Sequence, residues 1–248
     1  LKGISALNDR GTPALSNVDL EVNSGEILGV AGVSGNGQKE LAEVIAGLRP
    51  ATAGKLFIEG EDVSKKTPRE LMDKSLSYIP EERMKDGMIK EFTVAENLIL
   101  REYDKSPFSN NGFLDLTAIS DNAEELFESF NVKTPSHETT VKSLSGGNIQ
   151  KLVLARELNR KPRILIAAQP TRGLDIGATE YVHLRLLEQR EEGTATLLIS
   201  EDLDEILALS DRIAVIFDGE IMGVIDREEA TPERLGLMMA GERETVAG

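Results

Sequence analysis

Hydrophobic positions change period several times along the chain, and each change marks an element. Residues 3–22 alternate about the Arg10-Gly11-Thr12-Pro13 turn signal, the pattern of a short antiparallel meander. "GEILGVAG", 25–32, is a compact apolar strand closed by glycine. "QKELAEVIAGL", 38–48, places Leu41, Val44, Ile45 and Leu48 at helical spacing and predicts a helix. "GKLFIEGEDV", 54–63, predicts a hairpin about Gly60, and "KSLSYIPEERMKDGM" a short strand running into a charged loop. From 93 to 145 the character changes. "TVAENLIL" opens a helix that Thr93 can cap, and "DNAEELFESFNV" is an amphipathic second one with a solvated acidic face. The Ser/Asn/Gly stretch 106–112 between them reads as loop, so an all-helical insertion is predicted. Strands at 163–170, 194–200 and 212–219 then alternate with helices at about 177–192 and 202–209. Apolar strands separated by helices predict a mainly parallel sheet covered on both faces. The final "ETVAG" is expected to be loose.

Composition narrows the function classes. With 40% hydrophobic and 29% charged residues, the 248-residue chain can bury a substantial core. Its net charge of −15 works against binding to nucleic acid, whose phosphates attract Lys and Arg, so no such partner is expected. There is no cysteine, which excludes disulfides and thiolate metal sites. His137 and His183 are far apart in sequence and are not expected to form a ligand pair. No apolar run approaches the ~20 residues a membrane-crossing helix needs. No signal-peptide pattern opens the chain. Starting at Leu1 directly in strand-like pattern, it reads as a piece cut from a longer protein.

Strand, glycine loop and helix in succession provide the context a phosphate-binding loop requires. In "GVSGNGQKE", 32–40, Gly32, Gly35 and Gly37 allow close backbone approach, and Ser34, Asn36 and Glu40 complete the stretch. The helix beginning near Gln38 would aim its N–H groups and positive dipole end at a phosphate. The strict pattern G-x-x-x-x-G-K-[ST] fails, because Gln38 and Lys39 stand where Lys and Ser or Thr belong. Alone, the loop reads equally well as a tight strand-to-helix turn.

"LSGGNIQK", 144–151, is more informative. It opens a helix whose buried side would be Ile149, Leu152, Ala155 and Leu158. Ser145 fits an N-cap, and Gly146 and Gly147 leave the helix start open to an anion. "ILIAAQPTRGLDIGA" and then "LLISEDLDEI" follow. In this order the motifs resemble those of ABC ATPases: glycine loop, helical insertion, LSGGQ-type signature, Walker B strand and the D-loop "GLD" at 173–175. The resemblance covers nearly the whole chain. It implies an α/β fold with a P-loop NTPase core, a mainly parallel sheet, an antiparallel β subdomain (about 1–24 and 54–63) and an α-helical insertion (about 93–145), all in one nucleotide-binding domain of residues 1–248. "AAQPTRGLD", "YIPEER" and "SEDLDE" are similar to the second half of tandem ATPases serving bacterial and archaeal sugar and nucleoside importers.

In that family each ATP lies between one domain's phosphate loop and the other domain's signature. The resemblance therefore splits the chain's prospects. At its own loop Gln38 replaces the phosphate-binding lysine, Lys39 the Mg²⁺-binding Ser/Thr, Ala168 the Walker B aspartate and Gln169 the water-polarising glutamate. Glu81 replaces the Q-loop glutamine and Glu201 the switch histidine, and residues 7–10 offer no aromatic for adenine. Both carboxylates would face a γ-phosphate. At roughly 6 Å and an effective dielectric of about 20, each such contact costs on the order of 3 kcal/mol. Lys39 could partly compensate, or be a solvated lysine at the helix start. Glu81 and Glu201 are expected to pair with Arg83 or Lys39 in an empty site.

The signature side keeps its groups: Leu144, Ser145, Gly146, Gly147 and Gln150 are expected to act on a partner's ATP. Asp175 would reach across to the partner, cap the helix near Ile176, or both. Arg172 is a partner contact or a plain surface arginine. "EFTVAENL", 91–98, lies where the family couples to its membrane subunit, and reads equally as a loop packed on its own subdomain. The implied function is a catalytically degenerate half, with no catalytic residue of its own, coupling ATP-driven closure to a permease for sugars or nucleosides. Its cofactor would be ATP with Mg²⁺, held mainly by an N-terminal ATPase half of the same polypeptide, at the cytoplasmic face of the membrane. The alternatives are a self-sufficient homodimeric ATPase using Lys39 and a non-transport ABC scaffold.

Overall fold

The computed structural model describes residues 1–243, so the "ETVAG" tail lies outside the described residues. In chain order the elements are β1 (Lys2–Leu7), β2 (Pro13–Val18), β3 (Ile27–Ala31), α1 (Gln38–Ile45), β4 (Ala53–Lys55), β5 (Phe57–Ile58), β6 (Glu61–Asp62), α2 (Pro68–Asp73) and β7 (Leu76–Ile79). A single π turn spans Arg83–Gly87. There follow α3 (Val94–Leu98), β8 (Ser109–Asn110), β9 (Phe113–Leu114), α4 (Leu116–Ser129), α5 (Gly146–Leu158), β10 (Ile164–Ala168), α6 (Ile176–Glu191), β11 (Ala195–Ser200), α7 (Leu203–Leu209), β12 (Arg212–Phe217), β13 (Glu220–Asp226) and α8 (Pro232–Met239).

The chain divides into two units. Among the described residues the first comprises 1–78, 162–169 and 185–243. Its centre is a six-stranded sheet in the order β13-β12-β3-β11-β10-β7. β3 pairs in parallel with both β11 and β12, and β10 with β11, while β13 closes the edge antiparallel to β12. All five residues of β3 are buried, as a strand covered on both faces demands. A separate antiparallel sheet, β2-β1-β4, contributes Ile4, Leu15 and Val18 to the same core as Val30, Leu41, Ile166, Ile199 and Ile216.

α1 is shorter than its periodicity predicts. Gly47 turns left-handed at φ +72°, and the N–H groups of Gly47 and Leu48 bond back to the carbonyls of Val44 and Glu43. This is a Schellman stop, and it leaves Leu48 57% exposed rather than in the core. Two helices have stronger caps than periodicity. Thr67 forms a reciprocal capping box with Glu70 ahead of α2, and Thr231 caps α8, each followed by Pro at the first helical position.

The second unit comprises residues 79–161 and 170–184, a wider span than the 93–145 expected for the insertion. It is not all helical. Within and just beyond the expected loop, β8 and β9 form a hairpin through Asn111 and Gly112, both at positive φ, the backbone that a two-residue Asn-Gly turn requires. α4 starts at Leu116 under an Asp115 cap, five residues before the predicted amphipathic run. Thr93 and Glu96 form the capping box of α3, as its sequence suggests. Asn97, fully buried in α3, accepts from Ile89 N and donates to the carbonyls of Ile89 and Thr93. That ties down the 89–98 segment within its own unit, while Ile89 and Phe92 stay exposed.

Candidate functional site

In the first unit the glycine loop follows β3. Gly35 and Gly37 take φ of +87° and +103°, so both need the freedom of a missing side chain. A Cβ on Gly37 would stand 2.5 Å from the Ala14 carbonyl oxygen. Asn36 fastens the loop to the turn after β12: its side-chain oxygen accepts from Asp218 N at 2.8 Å, and its carbonyl from Gly219 N at 3.0 Å.

Gln38 then folds back across the loop. Its Nε2 donates to the Val33 carbonyl at 2.8 Å and its Oε1 accepts from Asn36 N at 3.0 Å. The side chain is buried, with 8% exposed. Loop N–H groups are what cradle phosphate in a P-loop. Here the one on Asn36 is spent internally.

Lys39 does not take the missing lysine's place. It pairs with Asp9 at 3.2 Å and Glu43 at 3.6 Å. The hydrogen bond to Asp9 is the main cause holding its pKa above the usual lysine value. Arg49 joins the same cluster, bonding Asp9, Glu43 and the Leu7 carbonyl. On β10, one strand removed from β3, Ala168 is buried and offers no side-chain oxygen to a cation. Gln169, in a left-handed backbone at φ +49°, accepts from Glu201 N at 3.4 Å. Where the resemblance puts the loop lysine and the two metal ligands, the chain has Gln38, Lys39 and Ala168.

The expected rearrangement of the carboxylates is corrected. Glu81 pairs with Arg172, not with Arg83 or Lys39. Lys39 is engaged with Asp9 and Glu43, leaving Glu201 without it. Arg83 Nη1 donates instead to the Arg172 carbonyl at 2.7 Å. Glu81 and Arg172 lie together in the second unit, and Lys39 belongs to a charge cluster within the first.

The second unit carries the signature. Ser145 stands at the N-cap of α5 with an exposed side chain, its Oγ accepting from Asn148 N at 3.4 Å and Asn148 Nδ2 at 3.2 Å. Gly146 and Gly147 form the first turn. A Cβ on Gly146 would meet Arg83 Nη2 at 3.2 Å, and one on Gly147 would meet Ala178 Cβ at 3.4 Å and Asp175 Oδ2 at 4.0 Å. Asp175 caps α6 through Ala178 N at 2.9 Å. Lys151 packs over the Tyr181 ring, and burial is the main reason its pKa falls below the usual lysine value.

Gln150 departs from expectation. It is only 1% exposed, and among the described residues its Nε2 has no hydrogen-bond partner. It points into the unit and not out from the helix tip. Asn148, which holds the fifth place of the LSGGQ-type signature, sits in the open first turn, its Oδ1 accepting from Lys133 N at 2.9 Å. Sequence reading passed over Asn148 and considered Arg83 only as a partner for Glu81 or Glu201. Motif alignment would have found Asn148. For Arg83 the only signal is the paired glycines, which announce a close approach without saying by what.

A glycine loop joining a central parallel strand to a helix, with a serine-capped glycine helix start in the second unit, defines an ATP-binding cassette of the P-loop class. The model of the ABC transporter family matches residues 15–172, and the chain belongs to that family. It is 46% identical over 241 residues to the nucleoside import ATP-binding protein NupA of Lactococcus lactis, covering 97% of this chain and 48% of that protein. It is 44% identical over 248 residues to the guanosine import ATP-binding protein NupO of Bacillus subtilis, covering all of this chain and 49% of that one. To the glucose import ATP-binding protein TsgD13 of Haloferax volcanii it is 47% identical, over 99% of this chain and 45% of the other. The chain thus spans about half the length of these relatives. Among solved structures, a nucleotide-free ATP-binding cassette from an ABC transporter aligns with a TM-score of 0.73 at 26% identity, over 92% of this chain and 91% of that one. A post-hydrolysis dimer of a cassette bound to ADP and phosphate aligns at 0.78 and 24% identity, over 92% and 97%, a likeness of fold. No described helix is long and apolar enough to cross a membrane.

Proposed function

We propose that this chain is the second, signature-donating half of a two-cassette ATPase that drives import of a sugar or nucleoside. One observation carries the reading: the chain's own phosphate loop is closed by Gln38, while Ser145 at its signature is exposed. Coverage of half of each relative's length supports a missing companion cassette, and the relatives' import names support the substrate class. In this reading the companion is the N-terminal half of the same polypeptide and holds ATP with Mg²⁺. This chain supplies the Ser145 hydroxyl, the Gly146 and Gly147 N–H groups and the α5 dipole to the terminal phosphate. The exposed Ile89 and Phe92 belong to the surface that would meet a permease at the cytoplasmic face of the membrane. Lys39 is tied to Asp9, which weighs against a self-sufficient homodimer built on that lysine.

Calorimetry of Mg-ATP against the chain alone, and then against the chain with its companion half, tests the proposal. Heat of binding is expected only in the mixture, with turnover abolished by Ser145→Arg. Tight binding and turnover by the chain alone would overturn it.

A further inference from the structure

We infer that Arg83 is a phosphate-contacting residue of the signature face, a fixed cation offered beside Ser145 to the terminal phosphate of a nucleotide held by the companion half. The inference deepens the function proposed above and rests on it.

Four observations carry it. Arg83 lies against two motifs at once, its Nη2 being 3.2 Å from where a Cβ on Gly146 would stand and 3.8 Å from that on Gly173. A side chain at Gly146 would press on the guanidinium, while one at Gly173 would only touch it at ordinary contact distance.

The second observation is charge. Arg172 is neutralised by Glu81, whereas Arg83 makes no ion pair among the described residues. A guanidinium carries five N–H donors, and the bond from Nη1 to the Arg172 carbonyl uses one. Asp175, beside Gly147, is occupied in capping α6. Glu82 and Asp86 are exposed on the turn that carries Arg83.

Third, the cation sits beside the positive end of a helix. A helix N-terminus bears roughly half a positive charge, and Arg83 is packed against the first residue of α5. Two positive ends in contact without an anion are unfavourable; a phosphate between them turns the repulsion into two attractions.

Fourth, the turn bearing Arg83 is anchored from behind. Arg156, buried in α5, donates to the Gly87 carbonyl at 2.7 Å and so fixes the far end of the Arg83–Gly87 turn. A donor held in place before the anion arrives needs no reorganisation to stabilise charge.

The test uses the assembled two-cassette protein, with steady-state ATP turnover, trapping of ADP with orthovanadate, and melting temperature as readouts. Arg83→Gln is expected to lower kcat by about ten- to a hundredfold and vanadate trapping in parallel, with KM for ATP changing less than about threefold and melting temperature nearly unchanged. Arg83→Lys, which keeps the charge but not the fork, should recover part of the loss. If Ser145→Arg abolishes turnover while Arg83→Gln stays within about twofold of wild type, Arg83 has no such role and the signature reading stands. A fall in turnover that tracks a lower melting temperature and spares trapping also overturns the inference, leaving Arg83 a strut. If Ser145→Arg changes nothing, the underlying reading fails and this one with it.

Discussion

Glu157→Gln measures how firmly the signature helix is held. Glu157 is fully buried, and its Oε1 accepts from Arg156 Nε at 2.9 Å and Arg101 Nε at 3.1 Å. Burial alone would push this carboxyl up, but the two guanidinium groups outweigh it and hold the carboxyl below its usual range. At about 4 Å and an effective dielectric of about 20, each attraction is on the order of 4 kcal/mol, partly offset by desolvation. Removing one member of a buried pair costs ~3–5 kcal/mol, because the other charge is left uncompensated. Glutamine keeps the shape and one acceptor oxygen, which favours the low end. At ~2–4 °C per kcal/mol for a domain of this size, a loss of ~3 kcal/mol lowers the melting temperature by ~6–12 °C at neutral pH. Circular dichroism melts of the two proteins measure it. A group whose folded pKa is depressed contributes stability that is complete above its unfolded value and fades as pH falls through the folded one. The gap between wild type and variant should therefore stay constant from pH 7 to about 5 and narrow only below ~4. A gap under ~2 °C at neutral pH, or one already closing above pH ~5, would refute the account.

Two other perturbations probe the glycine loop and its surroundings. Gly37→Ala forces a side chain into a backbone at φ +103° with its Cβ 2.5 Å from the Ala14 carbonyl oxygen. It should lower unfolding stability by at least ~2 kcal/mol in urea, and an unchanged midpoint would show that the loop can relax at no cost. Asp9→Asn removes the hydrogen bond chiefly responsible for the raised Lys39 pKa, so that pKa should fall in an NMR titration. Because Asp9 is exposed, the melting temperature should move by less than ~2 °C at 0.15 M salt, and a larger change would mean the cluster is less screened than its surface position implies.

The central strands were legible because they are buried on both faces and read as unbroken apolar runs: β3, β10, β11 and β12 lie where those runs do, whereas the half-buried edge strand β13 was not predicted. Elements governed by other forces were not. Leu48 continues the apolar period of α1, yet Gly47 ends the helix first, since backbone conformation at a glycine overrides a periodicity that only side chains express. The β8–β9 strands have two residues each, too short for alternation to appear; their signal was Asn111-Gly112. α2 announces itself by Thr67-Pro68 and Glu70, a cap with too little helix behind it for a moment to emerge. Gln150 was misplaced because α5 is buried around most of its girth, so an apolar stripe underestimates what lies inside. Arg83 was illegible for a different reason. Its position depends on Gly87, Arg172 and Gly146, which are adjacent only in the folded chain.

The substitution at position 38 has a structural logic of its own. A phosphate loop is a ring of inward-facing N–H groups, and without an anion a lysine there would add a positive charge to a cradle already positive. Glutamine instead supplies both a donor and an acceptor, and Gln38 uses them on the Val33 carbonyl and the Asn36 N–H. Each bond is worth only about 1 kcal/mol net, but leaving a buried partner unsatisfied costs more. Asn36, so oriented, holds Asp218 and Gly219 at the turn leaving β12, and β12 pairs directly with β3. The loop thus closes a circuit from the strand before it to the strand beside it using the chain's own groups. Order that in a nucleotide-binding loop comes from ligand binding is here intrinsic to the fold.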